Sequence, residues 1–188
     1  DQKPHLTRAV TLSARLDTRL PAAIERFFGE AAKLVPEPDR YGLIHGDFLF
    51  SNYLVTRDEP SIPTFSDTSV CVIDFDDCEY GWYAYDIAVN IYYYVLGGEP
   101  RGAERRTARA RELFEQLLRG YTRFARFDAV DTSRLGLFMR QREIDLLSSI
   151  ITHFDISDLP PWAGKFVETA VPRILASKPL IDPATFER

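Results

Sequence analysis

Apolar residues recur at helical spacing along most of the chain, and between residues 41 and 77 they gather into short runs that end in acids. Ile24, Phe27, Phe28, Ala31 and Leu34 share one helical face behind Pro21, a residue suited to a first turn, and Pro36 and Pro38 stop that helix. Residues 5–19 carry a looser helical pattern. Tyr41 to His45 is expected to form a short strand, and Tyr53 to Thr56 and Val70 to Ile73 a hairpin. Its polar connection, with Pro60 and Pro63, is longer than hairpins usually carry and is expected to be mobile.

Gly81 punctuates an aromatic turn, and a helix is expected from Ala84 to Leu96, closed by Gly97 and Gly98 with Pro100 beyond. Three helical stretches follow, at residues 102–125, 134–154 and 161–176. The second shows the stripe Leu135, Phe138, Ile144, Leu147, Ile150, Ile151 and Phe154, and Pro172 is expected to kink or terminate the third. The expected fold is α+β and mainly α-helical, a single domain in which residues 1–40 are a helical lead-in to a lobe at 41–188 with a small β-hairpin.

Composition narrows the class. A chain of 188 residues, 45% hydrophobic and 13% aromatic, can bury a substantial core. No run approaches the length of a membrane span and no N-terminal signal pattern is visible, so a soluble, cytoplasmic protein with no membrane partner is expected. Cys71, in a strand expected to be buried, and Cys78 are too few for a disulfide framework and read as reduced packing residues.

Charge is distributed unevenly around a net −5. Residues 37–90 hold eleven Asp or Glu against two Arg, a clustering of carboxylates that a divalent cation would relieve. Residues 99–126 hold eight Arg against four Glu, but Leu113, Phe114, Leu117, Leu118, Tyr121 and Phe124 are interleaved at helical spacing. That pattern describes the solvated outer face of a helix, so no nucleic-acid partner is expected.

The chemistry concentrates in two runs, Leu43-Ile-His-Gly-Asp-Phe-Leu-Phe-Ser-Asn52 and Val70-Cys-Val-Ile-Asp-Phe-Asp-Asp77, each expected to be a buried apolar strand that delivers acids to a loop. His45-Gly46-Asp47 followed by Asn52 has the H-x-D-x-x-x-x-N spacing of a phosphotransfer catalytic loop, and Asp74 closes the second strand where a metal-binding Asp would stand. With Gly81 and the downstream Tyr85-Asp86-Ile87-Ala88, these residues resemble the C-terminal lobe of the aminoglycoside phosphotransferase and choline kinase superfamily. The resemblance implies a protein-kinase-like fold, ATP and Mg²⁺ as cofactors, and the hydroxyl of a small molecule as phosphoryl acceptor. It covers residues 43–90 well and the later helices only in general character.

Asp47 is the candidate catalytic base, although an Asp after Gly also caps turns. Asn52 offers an amide oxygen to Mg²⁺, and by itself reads equally as a turn former. Asp74 is the first candidate metal ligand and Asp76 a second ligand or a substrate contact, with Asp77 a weaker one still. Of Asp76 and Asp77 one is expected to face solvent or cap the next turn. His45 supports the loop, and the resemblance implies that Asp86 holds it through backbone N–H groups; an acid near a helix N-terminus is the other reading of Asp86. Between Asp47 and Asn52 the filling Phe48-Leu49-Phe50-Ser51 is more apolar than in many members of the family.

The chain contains no G-x-G-x-x-G, no G-K-[ST] and no Val-Ala-Ile-Lys-like strand, and the residues before the loop read as helix. An N-terminal ATP-binding lobe is therefore expected to be absent, its nucleotide-binding residues lie outside this sequence, and the fragment by itself is expected to be inactive. Two other functions fit parts of the pattern. One is a non-catalytic, pseudokinase-like binding lobe. The other is a phosphatase of the haloacid dehalogenase type, with Asp74 and Asp76 imitating its D-x-D motif but with Cys78 where Thr or Val is usual and helices where a parallel sheet should follow.

Overall fold

In the computed structural model, which describes residues 10–57, 68–97 and 102–187, the apolar periodicities become five helices around one core. Helix α1, Leu20–Ala31, begins with Pro in its first turn and buries Leu20, Ala23, Ile24 and Phe27. Strand β1, Tyr41–Ile44, leads into the acid-bearing loop, and β2, Tyr53–Arg57, pairs antiparallel with β3, Thr68–Val72. Strand β4, Glu79–Trp82, pairs antiparallel with β1, with Tyr41 opposite Trp82 and Ile44 opposite Glu79. The sequence pattern suggested only an aromatic turn there; Gly42 and Gly81 lie opposite each other in the ladder, where Gly42 leaves room for the Tyr83 side chain and Gly81 for that of Ile44.

Helix α2, Tyr83–Leu96, is buried on almost every side, from Ala84 and Tyr85 through Ile87 to Tyr92 and on to Val95. A helix apolar all round belongs at the centre of a helical layer. It is flanked by α3, Ala103–Tyr121, and by α4, Ala129–His153, while α5, Pro161–Leu175, packs on α4 and α1. Tyr92, Phe27, Phe114, Phe138 and Leu147 are among the largest fully buried side chains. Each contributes about 1.5–3 kcal/mol through burial.

Three boundaries depart from the sequence expectation. Helix α4 starts at Ala129, one full turn before the apolar stripe, because Asp128 and Asp131 form a reciprocal cap: the Asp128 carboxylate accepts from the Val130 N–H at 2.9 Å and that of Asp131 from the Asp128 N–H at 3.0 Å. Helix α3 ends at Tyr121, about one turn short of the expected 125, whereas α5 keeps its expected bounds and runs through Pro172 to Leu175, the Pro172 carbonyl accepting from the Ala176 N–H. In the lead-in, of the expected 5–19 helix only residues 10–13 are helical among those described. The connection containing Pro60 and Pro63 lies outside the described residues.

The strands that carry the acids are also less buried than their composition suggests. Ile44 enters the core, but Leu43 is 63% exposed, Val70 61%, and Cys71 is exposed rather than packed. Both sheets have only two strands, so among the described residues no layer covers the outer face of β2 and β3. Arg40, almost fully buried just before β1, ties this region to the start of α4 through ion pairs to Asp131 at 2.5 Å and Asp128 at 2.8 Å. The hydrogen bond from Arg40 holds the Asp128 carboxyl well below its ordinary value. No helix among the described residues is long and apolar enough to cross a membrane.

Candidate active site

The loop after β1 is fixed from beneath by the first turn of α2. The Asp86 carboxylate accepts the N–H of His45 at 2.9 Å and that of Gly46 at 3.0 Å. Burial pushes the Asp86 carboxyl above the ordinary Asp value, against the pull of those two N–H groups. Gly46 has φ +79°, and a Cβ there would stand 2.3 Å from the Asp77 carbonyl oxygen. Only glycine satisfies both the left-handed backbone and that approach.

His45 is buried, with Nε2 3.0 Å from the Ile73 carbonyl and Nδ1 accepting the Asp47 N–H at 3.4 Å, partners that place its proton on Nε2. The ring thus links the first acid-bearing loop to the end of the strand that leads to Asp74.

A short 3₁₀ turn, Phe50–Asn52, brings Asn52 back over Asp47. The Asn52 side-chain N–H₂ donates to the Asp47 carbonyl at 2.8 Å and to the Asp47 carboxylate at 3.2 Å. Since the nitrogen is committed to Asp47, Oδ1 faces the other way, where it accepts from the Ser51 hydroxyl at 3.3 Å. The apolar filling of the loop is used as packing: Phe48 stacks edge-on with Tyr53 at 4.8 Å between centroids, and Phe50 contacts Tyr53 and Tyr94. Asn90, buried in α2, donates to the Phe48 carbonyl at 3.0 Å and so anchors the middle of the loop.

Asp74 follows directly on the β2–β3 ladder, because the Ile73 N–H donates to the Asn52 carbonyl at 3.0 Å one step beyond the Tyr53–Val72 pair. Asp74 is exposed and has φ +67°, a left-handed conformation that Asp tolerates better than most residues. Asp76 and Asp77 are both exposed, in the turn closed by the Cys78 N–H on the Phe75 carbonyl. The half-buried Cys78 thiol donates to the Ile44 carbonyl at 2.9 Å.

Among the described residues no three His, Cys, Asp or Glu side chains converge on a cation position. The donors that could hold a cation are the Asn52 amide oxygen, oriented by its own nitrogen, and the exposed carboxylates of Asp74 and Asp76. Hard oxygen donors in that small number suit Mg²⁺, which usually takes one or two protein ligands and completes its shell with water and substrate phosphates. The D-x-D nucleophile reading fares worse. It requires a parallel sheet, whereas the described strands form two antiparallel pairs.

Sequence reasoning missed Arg142. From α4, 95 residues along the chain from Asp47, it forms an ion pair with Asp47 Oδ1 and donates from Nε to the Tyr93 hydroxyl at 3.2 Å. Its guanidinium carbon lies 5.0 Å from the centre of the Tyr93 ring. Burial works against this charge, but Tyr93, Tyr85 and Asp47 outweigh it and hold the guanidinium more firmly protonated than usual. Nearby, the Tyr85 hydroxyl donates to Asp145 at 3.2 Å. A signal existed. Leu135, Phe138, Arg142 and Asp145 continue one helical face, so two charges occupy the inward stripe where apolar residues precede them.

The chain matches the model of the phosphotransferase enzyme family, APH, over residues 2–137, and it belongs to that family. Among solved structures it is similar to the amicoumacin kinase hAmiN in complex with AMP-PNP, Ca²⁺ and Ami, at 19% identity and a TM-score of 0.72, covering 95% of this chain and 50% of that one. It is also similar to a microcompartment-associated aminopropanol kinase, at 27% identity and a TM-score of 0.54, covering 90% of this chain and 46% of that one. The chain therefore spans about half the length of each, and its fold is that of a kinase-like C-terminal lobe. No curated protein matches it.

Proposed function

We propose that residues 41–188 are the catalytic and acceptor-binding lobe of an ATP- and Mg²⁺-dependent kinase that phosphorylates a hydroxyl of a small molecule. Aminoglycosides, amino alcohols and hydroxy amino acids are the acceptor classes, and the similarity to an aminopropanol kinase supports that choice. The observation that carries the reading is the double grip of Asn52 on Asp47, which sets an acid and an amide oxygen side by side next to the strand end bearing Asp74.

In this reading the Asp47 carboxylate accepts the hydrogen bond of the acceptor hydroxyl, aligns its oxygen for attack and receives its proton. Asn52 Oδ1 and the Asp74 carboxylate hold Mg²⁺, with Asp76 as a further ligand or an acceptor contact, while His45 and Asp86 keep the loop in shape. When bound, Mg²⁺–ATP supplies the phosphoryl group and the charge compensation for its transfer. The other half of the ATP site comes from a second lobe, so the 188-residue chain alone is expected to be inactive and to bind nucleotide poorly.

The test is Asp47→Asn in the complete enzyme, scored by ADP release with 1-amino-2-propanol, homoserine and an aminoglycoside as acceptors. The reading predicts turnover of at least one acceptor by the wild type, loss of that turnover in the variant and unchanged ATP affinity. Near-normal turnover by the variant would remove Asp47 from its role.

A further inference from the structure

We propose that Arg142 is a positioning residue for Asp47, through which the acceptor-side helix α4 sets the orientation of the base; this rests on the kinase reading above. The two oxygens of the Asp47 carboxylate are held from opposite quarters of the fold. Oδ2 takes the Asn52 amide from within the loop at 3.2 Å, and Oδ1 takes the Arg142 guanidinium from α4. With one donor on each oxygen, the carboxylate plane can no longer rotate freely, and its remaining lone pairs point in defined directions.

Arg142 is itself prevented from swinging away. Its side chain is 15% exposed, Nε is spent on the Tyr93 hydroxyl and the guanidinium lies against the Tyr93 ring. Next to it in sequence, Glu143 points into the core and pairs with Arg173 of α5 at 2.5 Å. The turn of α4 that carries Arg142 is therefore pinned from both sides, to the catalytic loop by one residue and to α5 by the next. A planar, bidentate-capable cation delivered from a helix packed against both α2 and α5 suits orientation better than a flexible lysine would.

Removal of the guanidinium frees one carboxylate oxygen and leaves the position of the base to Asn52 alone. A misplacement of about 1 Å at a reacting group costs about 10²-fold in rate. In the complete enzyme, with the best acceptor of the three named above, Arg142→Ala is expected to lower kcat by about that factor. The KM for ATP should move by less than about twofold, and added guanidinium ion should restore part of the rate. Arg142→Met, which keeps the packing against Tyr93, serves as the control for folding and should lose the same kcat at an unchanged melting temperature.

A double-mutant cycle separates action through Asp47 from an independent role. If Arg142 acts through the base, Arg142→Ala causes no further loss in an Asp47→Glu background, which keeps a carboxylate and a measurable rate but already displaces that carboxylate, whereas multiplying losses would overturn the proposal. A kcat within about threefold of wild type in both Arg142 variants would overturn it as well. A readout free of turnover uses the 188-residue chain itself: the ¹⁵Nε–H resonance of Arg142 should shift on Asp47→Asn, and an unmoved resonance counts against the contact. Normal turnover in Asp47→Asn alone would instead defeat the kinase reading while leaving the Arg142–Asp47 contact to the spectroscopic result.

Discussion

The side-chain amide of Asn52 donates to both the main-chain carbonyl and the carboxylate of Asp47, five residues earlier in the chain. One residue thereby closes the loop, orients the acid and turns its own amide oxygen outward. Asn52→Asp keeps the outward oxygen but removes both donated bonds and places a second carboxylate against the first. The Asp47 carbonyl keeps the Leu49 N–H at 2.8 Å, but because Asn52 is buried, the lost amide bond to the Asp47 carboxylate and the second buried carboxylate should cost about 1–3 kcal/mol. The expected fall in Tm is roughly 2–10 °C in a thermal melt, and an unchanged Tm would show that the amide does not hold the loop.

Gly46 should be irreplaceable for two separable reasons. Any side chain at φ +79° bears the left-handed cost, and any Cβ collides with the Asp77 carbonyl. Gly46→Ala is expected to lose at least about 1–2 kcal/mol from the backbone term alone. Gly46→Asn relieves much of the backbone term and none of the collision, so both variants should melt lower than wild type and both should lose turnover. Wild-type melting of the Asn variant would mean that the approach of the Asp77 carbonyl is not maintained in solution.

Glu143 yields a prediction with a definite sign. Burial raises its carboxyl above the ordinary Glu value of 4.5, even though Arg173 and Tyr92 pull the other way. A carboxyl raised on folding contributes stability that is fully present below the ordinary value and is lost as pH rises through the folded one. Glu143→Gln keeps the shape of the protonated acid, so its Tm relative to wild type should be more favourable at pH 7.5 than at pH 5. The reverse order would show that the ion pair with Arg173 outweighs burial.

Much of this architecture was legible in local patterns. The stripe Ile24, Phe27 and the stripe Leu135, Phe138, Ile144, Leu147 mark the core faces of α1 and α4, and the hairpin of β2 and β3 follows from two short apolar runs. The spacing from His45 to Asn52 marked a loop, because the bonds that shape it among the described residues span five residues or fewer apart from those to Ile73, Asp86, Asn90 and Arg142. Contacts between distant residues leave no such trace. The pairing of β1 with β4, the grip of Arg40 on Asp128 and Asp131, and the ion pair of Arg142 with Asp47 depend on elements far apart in sequence. The exposure of Leu43, Val70 and Cys71 was missed because an apolar run shows affinity for burial without showing what is available to cover it.

In the kinase reading Asn52 and Asp74 share one divalent cation beside Asp47, and that cation can be located. Crystals of the complete enzyme grown with AMP-PNP and Mn²⁺ in place of Mg²⁺ would reveal the metal by its anomalous scattering. A peak is expected about 2.0–2.4 Å from both Asn52 Oδ1 and an Asp74 carboxylate oxygen. A nucleotide-bound Mn²⁺ that leaves either residue beyond about 4 Å, outside any coordination distance, would contradict that reading.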